Sequence, residues 1–212
     1  GLGDVYKRQG ASIYDFSHKK VLWAKHLQPD TEYVIAHLME KFPEMGVEIF
    51  GNDETYFVRE NRFTDDHAAK DHLNPHYTSL SEIPKPWYKV LLAWEYDRLV
   101  DVEKYINKNP GDARAVFSEL SFLEVLHKDA SKGDALAELL RLKGLEEYHT
   151  IAVGDNMNDL EMIRNAKTGI AVENAFSGLK KAANLLCRHH DEHALAQVVE
   201  WLEEKILNSD NS

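Results

Sequence analysis

Two short segments of this 212-residue chain carry oxygen-rich and charged side chains where chemistry can happen. The first is Ile151-Ala152-Val153-Gly154-Asp155-Asn156-Met157-Asn158-Asp159, an apolar run that passes directly into carboxylates and carboxamides, with Gly154 permitting a tight exit. In parallel α/β sheets, ligand groups collect at the carboxyl ends of strands, where loops enter helices. A hard cation suits such a loop, because Mg²⁺ takes oxygen ligands from one or two carboxylates and fills its octahedron with water and phosphate. Asp155 is the natural ligand. Asp159, one helical turn further on, can orient Asp155 or a metal-bound water, and the Asn158 amide can donate to a phosphate oxygen. A plain turn and helix N-cap, a role Asp and Asn fill well, is equally open from spacing alone.

The second segment is Asp129-Ala130-Ser131-Lys132-Gly133-Asp134, where Ser131 and Asp134 form a capping-box-like pair ahead of the apolar positions Leu136, Leu139 and Leu140. Lys132 therefore begins a helix. A lysine there opposes the helix dipole unless an anion sits in front of it, and a phosphate would serve. An exposed surface lysine is the simpler alternative.

The elements that must position these residues follow from periodicity. Ala11-Ser12-Ile13-Tyr14-Asp15 and Val21-Leu22-Trp23 flank the polar turn Ser17-His18-Lys19-Lys20, a predicted hairpin. Asp30 or Thr31 caps a helix with Val34, Ile35, Leu38, Met39 and Phe42 on one face, stopped by Pro43 and Gly46. Val47-Phe50 and Thr55-Val58 read as a second hairpin around Gly51-Asn52-Asp53-Glu54. Asp65–Leu73 reads as a short helix, followed by a proline-marked loop, a strand at Tyr88–Ala93, a helix at Leu99–Ile106 and strands at Ala113–Leu120 and Phe122–Leu126. Residues 30–125 thus form an α+β unit.

After Lys128 the pattern becomes strict alternation: helix from Lys132, strand Thr150–Val153, helix from Asp159, strand Gly169–Val172, helix from Ser177, strand Leu185–Cys187. This is the grammar of a parallel sheet. A last helix, Asp191–Leu207, sets Leu195, Val198, Val199, Leu202 and Ile206 on one face, as a cover helix would.

Composition narrows the function classes. With 43% hydrophobic and 29% charged residues, the chain has the balance of a folded globular protein. A net charge of -11, with no run of Lys or Arg longer than two, lacks the electrostatic footprint that nucleic-acid binding requires. One cysteine, Cys187, and no apolar stretch near 18 residues point to a soluble, reducing, cytoplasmic setting without a membrane partner.

Taken together, Ser131-Lys132-Gly133-Asp134, then Gly154-Asp155-Asn156-Met157-Asn158-Asp159-Leu160-Glu161-Met162, then Gly169-Ile170-Ala171-Val172 and Asn174-Ala175, resemble the Cof-type phosphatases of the haloacid dehalogenase (HAD) superfamily. The resemblance is close over residues 129–207 and looser over 10–125. It implies an α/β fold: a HAD-like Rossmannoid parallel-sheet core built from residues 10–29 and 126–212, with an α+β cap inserted at 30–125. It also implies a Mg²⁺-dependent phosphatase of small phosphorylated metabolites, sugar phosphates among them. In that family an Asp nucleophile forms an aspartyl-phosphate that water then hydrolyses. Carried over by position, Lys132 holds phosphate, Asp155 binds Mg²⁺, Asn158 contacts phosphate and Asp159 supports the metal loop; Lys132, Asp155 and Asp159 are the catalytic candidates, and Asp155 and Asp159 the metal candidates.

The family's first motif, Asp-x-Asp-Gly-Thr, supplies nucleophile and general acid, and its second, a Ser or Thr after the next strand, grips phosphate. Neither is found: no two aspartates in the 212 residues stand two apart, and Asp4 and Asp15 are in other contexts. Gly10-Ala11 matches the point just after the second motif, so the expectation is a chain truncated at its N-terminus, its core incomplete there and its own turnover lower by orders of magnitude. Residues 1–9 fit no amphipathic template and resemble a translated adapter remnant. The alternative is a non-catalytic protein of the same fold that binds a phospho-ligand. A receiver-like or nucleotide-binding domain is weaker, because no glycine-rich phosphate loop follows a strand.

The remaining histidines and aromatics invite plainer readings. His189, His190 and His193 near Asp191 suggest zinc, yet no cysteine or second acidic cluster completes the set, which favours a solvated helix start. His67, His72 and His76 are expected at the surface. Trp87, Tyr88, Trp94 and Tyr96 either line the cap's ligand-facing side or, more simply, form its core.

Overall fold

The computed structural model describes residues 5–7, 10–51, 54–108 and 111–209. In chain order the elements are β1 (Val5–Lys7), β2 (Ser12–Asp15), β3 (Lys20–Ala24), α1 (Thr31–Lys41), β4 (Gly46–Phe50), β5 (Thr55–Arg59), α2 (Arg62–Lys70), β6 (His76–Tyr77), β7 (Lys89–Ala93), α3 (Tyr96–Lys108), β8 (Ala113–Glu119) and β9 (Phe122–His127). They continue with α4 (Lys132–Lys143), β10 (Ile151–Gly154), α5 (Leu160–Asn165), β11 (Thr168–Val172), α6 (Ser177–Ala182), β12 (Leu185–Cys187) and α7 (Ala194–Ser209). The chain divides into two compact units, residues 1–131 and 132–212.

The first unit holds two sheets. β2 and β3 form the predicted hairpin, and β1 adds to it antiparallel, pairing Tyr6 with Tyr14. The larger sheet has six strands in the order β6-β5-β4-β7-β9-β8, all antiparallel except the short β5–β6 pair. Alternation along each strand gives it two different faces. Val47, Ile49, Val90, Leu92, Leu123 and Val125 point one way and are buried with Ile35 and Leu38 of α1 and Leu99, Val102 and Ile106 of α3. Strand pairing puts Glu48, Leu91 and Glu124 in one row of the other face, beside Phe50 and Lys89.

On that second face α2 begins at Arg62, three residues before the expected Asp65. Its start is set by Asn61, whose side-chain oxygen accepts from the backbone N–H groups of Phe63 and Thr64 while Thr64 Oγ1 accepts from Asn61 N at 2.8 Å. An Asn/Thr capping box of this kind lacks the Glu or Gln of the usual signature. The Asn61 amide also donates to the carbonyls of Glu44 and Ala93, so one side chain ties the helix start to the turn before β4 and to the end of β7. Asn61→Ala should therefore lower the stability of this unit by about 2 kcal/mol, the upper end for a lost cap, read by urea denaturation.

The same face corrects the reading of His67. Its side chain is only 12% exposed, and Nδ1 lies 2.8 Å from the fully buried Glu48 carboxylate while Nε2 faces Asp71 at 3.4 Å. Burial raises the Glu48 pKa above the usual carboxylate range, although His67 and Lys89 pull against that rise. Burial alone would lower His67, but its hydrogen bond and ion pair with Glu48 outweigh this and raise it. His72 and His76 stay exposed, as expected. Trp87, Tyr88 and Trp94 are buried core, whereas Tyr96 is exposed against the Phe117 ring.

In the second unit β10, β11 and β12 form the expected parallel sheet, with Ala152 opposite Gly169 and Ala171 opposite Leu186. Its core joins Ala152, Ile170 and Val172 to Ile163 of α5, Leu179 of α6 and Val198 of α7. Gly169 is required here: a Cβ would stand 2.3 Å from the Ile163 carbonyl oxygen, so only glycine lets α5 lie this close to β11. Two expected helices start later than predicted. Met157–Asp159 and His190–Glu192 are 3₁₀ turns, and His193 adopts a left-handed conformation (φ 56°) before α7. The expected apolar stripe of α7 is only partly covered: Val198 is buried, but Leu195 is 66% and Val199 52% exposed. Ile206 lies outside the described side chains. The turn residues Asn52-Asp53 and Asn109-Pro110, and Asp4, lie outside the described residues.

Among the described residues no helix is long and apolar enough to cross a membrane.

Candidate functional site

The second unit gathers Lys132, Asp155, Asn158 and Asp159 at the carboxyl end of β10. Two backbone approaches set this up. Gly133, in the first turn of α4, lies against the backbone of Glu161, where a Cβ would come within 2.7 Å. That contact brings the start of α4 onto the start of α5 and places Lys132 Nζ 2.5 Å from Asp159 Oδ1. Gly154, the last residue of β10, leaves room for the Asp159 side chain, whose Cβ would otherwise meet a new Cβ at 2.6 Å.

Asp159 is buried and fully used. Oδ2 accepts from the backbone N–H groups of Asp155 (3.1 Å) and Asn156 (3.3 Å), while Oδ1 takes the Lys132 ammonium. The predicted N-cap is real, but it is reciprocal: Asn156 Oδ1 accepts from Met157 N, and Asp159 closes the box from the other side. The anion facing the first turn of α4 is thus the Asp159 carboxylate, which compensates the position of Lys132 against the helix dipole.

Asp155 differs from Asp159. Its side chain remains open to solvent, yet its pKa is raised, first by the burial of its surroundings and then by the negative charge of Asp159, with Lys132 opposing the rise. Two carboxylates held this close with one ammonium leave a negative excess that an arriving cation would relieve. Lys132, Asp155 and Asp159 line a cavity of about 340 Å³ with Val153, Met162, Val172, His190 and Leu195. Asn158 is buried beside it. His190 and Leu195 were not signalled as cavity residues by the sequence: they come from the segment after β12, about 30 residues downstream of the acidic loop.

Comparison with known proteins gives this geometry a context. Residues 4–199 match the haloacid dehalogenase-like hydrolase family. YxeH of Bacillus subtilis (strain 168) is 34% identical over 133 residues, 60% of this chain and 48% of YxeH. The 5-amino-6-(5-phospho-D-ribitylamino)uracil phosphatase YwtE of the same strain is 30% identical over 129 residues, 60% of this chain and 45% of YwtE. The chain therefore spans about half the length of these two curated relatives. Among solved structures, the subclass IIB sugar phosphatase BT4131 of the HAD superfamily superposes with a TM-score of 0.82 at 19% identity, covering 94% of this chain and 76% of that one. The α/β fold with a parallel sheet leading into an acidic loop is thus the HAD-like fold, and the chain belongs to the haloacid dehalogenase-like hydrolases.

Proposed function

We propose that this chain is the greater part of a Mg²⁺-dependent phosphatase acting on small phosphorylated metabolites of the sugar-phosphate kind, through an aspartyl-phosphate. The observation that carries the reading is the Lys132–Asp159–Asp155 arrangement at the end of β10, in a chain of this family. The names of YwtE and BT4131, one a ribityl-phosphate-containing substrate's phosphatase and the other a sugar phosphatase, support the substrate class.

The donor set fits magnesium. Carboxylates and carboxamides cluster with neither cysteine nor histidine among Asp155, Asn156, Asn158 and Asp159, which is hard oxygen chemistry. Asp155, the open carboxylate, would hold the ion, and Asp159 would support the loop by fixing the backbone at Asp155 and Asn156. When bound, the ion supplies positive charge to the transferring phosphoryl group. Lys132 holds phosphate with its ammonium while Asp159 keeps it in place, and Asn158 contributes an amide donor. Residues 10–29 and 126–212 would form the core and 30–125 the cap that selects the leaving group. The setting would be cytoplasmic.

No Asp-x-Asp occurs in the 212 residues, so the nucleophile of this scheme belongs to a segment outside them, and the chain alone would be close to inactive. That same feature favours a second reading, a non-catalytic phospho-ligand-binding protein of this fold. Release of inorganic phosphate from a panel of sugar phosphates with Mg²⁺ tests both, comparing this chain with one extended by a strand bearing Asp-x-Asp-Gly-Thr. Turnover confined to the extended chain is the expected result. Turnover by the present chain would refute the placement of the nucleophile, and binding without turnover in either would favour the second reading.

A further inference from the structure

The turn between β12 and α7 was read from sequence as a solvated helix start, but in the fold its donors converge. One nitrogen from each of His189 and His190 and one carboxylate oxygen of Asp191 all lie within 4.8 Å of one another. His190 Nε2 is 2.8 Å from Asp191 Oδ1, and His189 Nδ1 is 3.6 Å from Asp191 Oδ2; that nitrogen accepts from the Asp191 backbone N–H at 3.3 Å, a cap that an ion bound there would replace. Both rings are at least one-third exposed, so an ion can reach them and keep water on its remaining positions. We propose that His189, His190 and Asp191 form a second cation site, selective for a borderline divalent ion of the zinc type, at the rim of the cavity that also holds Asp155.

The donor chemistry separates this site from the acidic loop. Two imidazoles and one carboxylate with open positions suit Zn²⁺, Ni²⁺ or Co²⁺, whereas Mg²⁺ prefers oxygen ligands. The two sites should therefore fill independently.

Asn174 gives the proposal a sharper consequence. Its Oδ1 accepts from the His190 backbone N–H at 3.1 Å, and its amide nitrogen lies 2.6 Å from His190 Nδ1. In that orientation the amide donates, so Nδ1 accepts and the ring proton sits on Nε2, facing Asp191. An ion bonding to Nε2 needs that lone pair, and the neutral ring must then carry its proton on Nδ1. The Asn174 amide has to turn over to accept it, giving up its bond from the His190 backbone. A carboxylate at position 174 would accept from both N–H groups at once, the arrangement in which a carboxylate backs a metal-bound histidine.

The test uses the full chain without an affinity tag, titrated with Zn²⁺ by calorimetry in excess Mg²⁺, and with Co²⁺ by visible absorption. One equivalent should bind, His189→Ala and His190→Ala should each weaken it at least tenfold, and Asp155→Asn should leave it unchanged. Asn174→Asp should tighten binding by ~10-fold, the size of an outer-sphere effect, and should lose that gain in a His190→Ala background. Zinc binding that survives His190→Ala, or that disappears in Asp155→Asn, would overturn the proposal. So would the absence of saturable binding. Because Asp155→Asn reports on the acidic loop alone, failure here is distinct from failure of the phosphatase reading.

Discussion

Asp159→Ala should cost the C-terminal unit about 3 kcal/mol, the penalty of removing one partner from a largely buried ion pair. Three contacts vanish together: the Lys132 ammonium and the backbone N–H groups of Asp155 and Asn156. The ammonium is left at the first turn of α4 with the helix dipole against it. The conservative Asp159→Asn should do nearly as much damage. Its amide keeps one oxygen, which can serve the backbone or the ammonium but not both, and it contributes no charge. Urea denaturation of the two variants measures this. A loss below ~1 kcal/mol in Asp159→Ala would mean that the pair is solvated and that the loop holds itself. In the extended chain described above, Asp159→Asn should also depress phosphate release, since Asp155 would lose the backbone clamp that fixes it.

The second large effect is in the other unit. His67→Ala should cost about 3 kcal/mol at neutral pH, because it strands the Glu48 carboxylate, which has no exposed surface. Lys89 remains as a partial compensation. The pH dependence has a definite sign. In the folded protein both His67 and Glu48 have raised pKa values, so the native state binds protons more tightly than the unfolded chain. The stability from His67 is fully present below the ordinary imidazole pKa and is lost as pH rises through its raised value. The stability associated with Glu48 protonation likewise falls as pH rises from the ordinary carboxylate range through its raised value. The wild-type unit should therefore become less stable as pH climbs from mildly acidic to mildly alkaline. In His67→Ala the imidazole contribution is gone, and Glu48, deprived of the partner that lowered it, protonates more readily. Loss of the imidazole term makes the substitution cost more at low pH, and easier protonation of Glu48 makes it cost less, so the direction in which the cost changes with pH reports which of the two groups carries the pair's proton. Denaturation curves at pH 5 and pH 8 decide the point, and an equal cost at both would show that the pair does not share protons in this way.

Much of the fold was readable because it rests on local periodicity. The three parallel strands of the C-terminal unit, the hairpins and the long helices α1, α3 and α4 are short-range patterns of apolar residues. The misreadings arise where position depends on a distant partner. His67 looks like any helical histidine until strand register places Glu48, nineteen residues earlier in sequence, beneath it. The start of α2 was missed because its capping box uses Asn and Thr. For α7, periodicity correctly grouped Leu195, Val198 and Val199 but could not say which of them the sheet would cover. The acidic loop was legible as a set of oxygen donors, yet the division of labour within it was not. Only the close approaches at Gly133 and Gly154 reveal that Asp159 is spent on Lys132 and the backbone, leaving Asp155 open. The convergence of His189, His190 and Asp191 occurs at a 3₁₀ turn that no periodicity encodes.

The strand order of the larger sheet has a consequence for how the chain acquires its structure. In the order β6-β5-β4-β7-β9-β8, β4 must wait for β7, so the centre of the sheet closes only after residues 51–88 have been looped out. The C-terminal sheet instead adds each strand beside the one synthesised just before it. Loop-closure entropy makes the first arrangement the slower one to nucleate. Synthesis runs in the opposite sense, delivering the slow unit to solvent before the C-terminal one and giving it that interval of translation in which to form. The lag between the two units is thereby absorbed by the ribosome, and a chain refolded from denaturant, which loses that head start, should expose its half-built antiparallel sheet while the C-terminal unit is already closed.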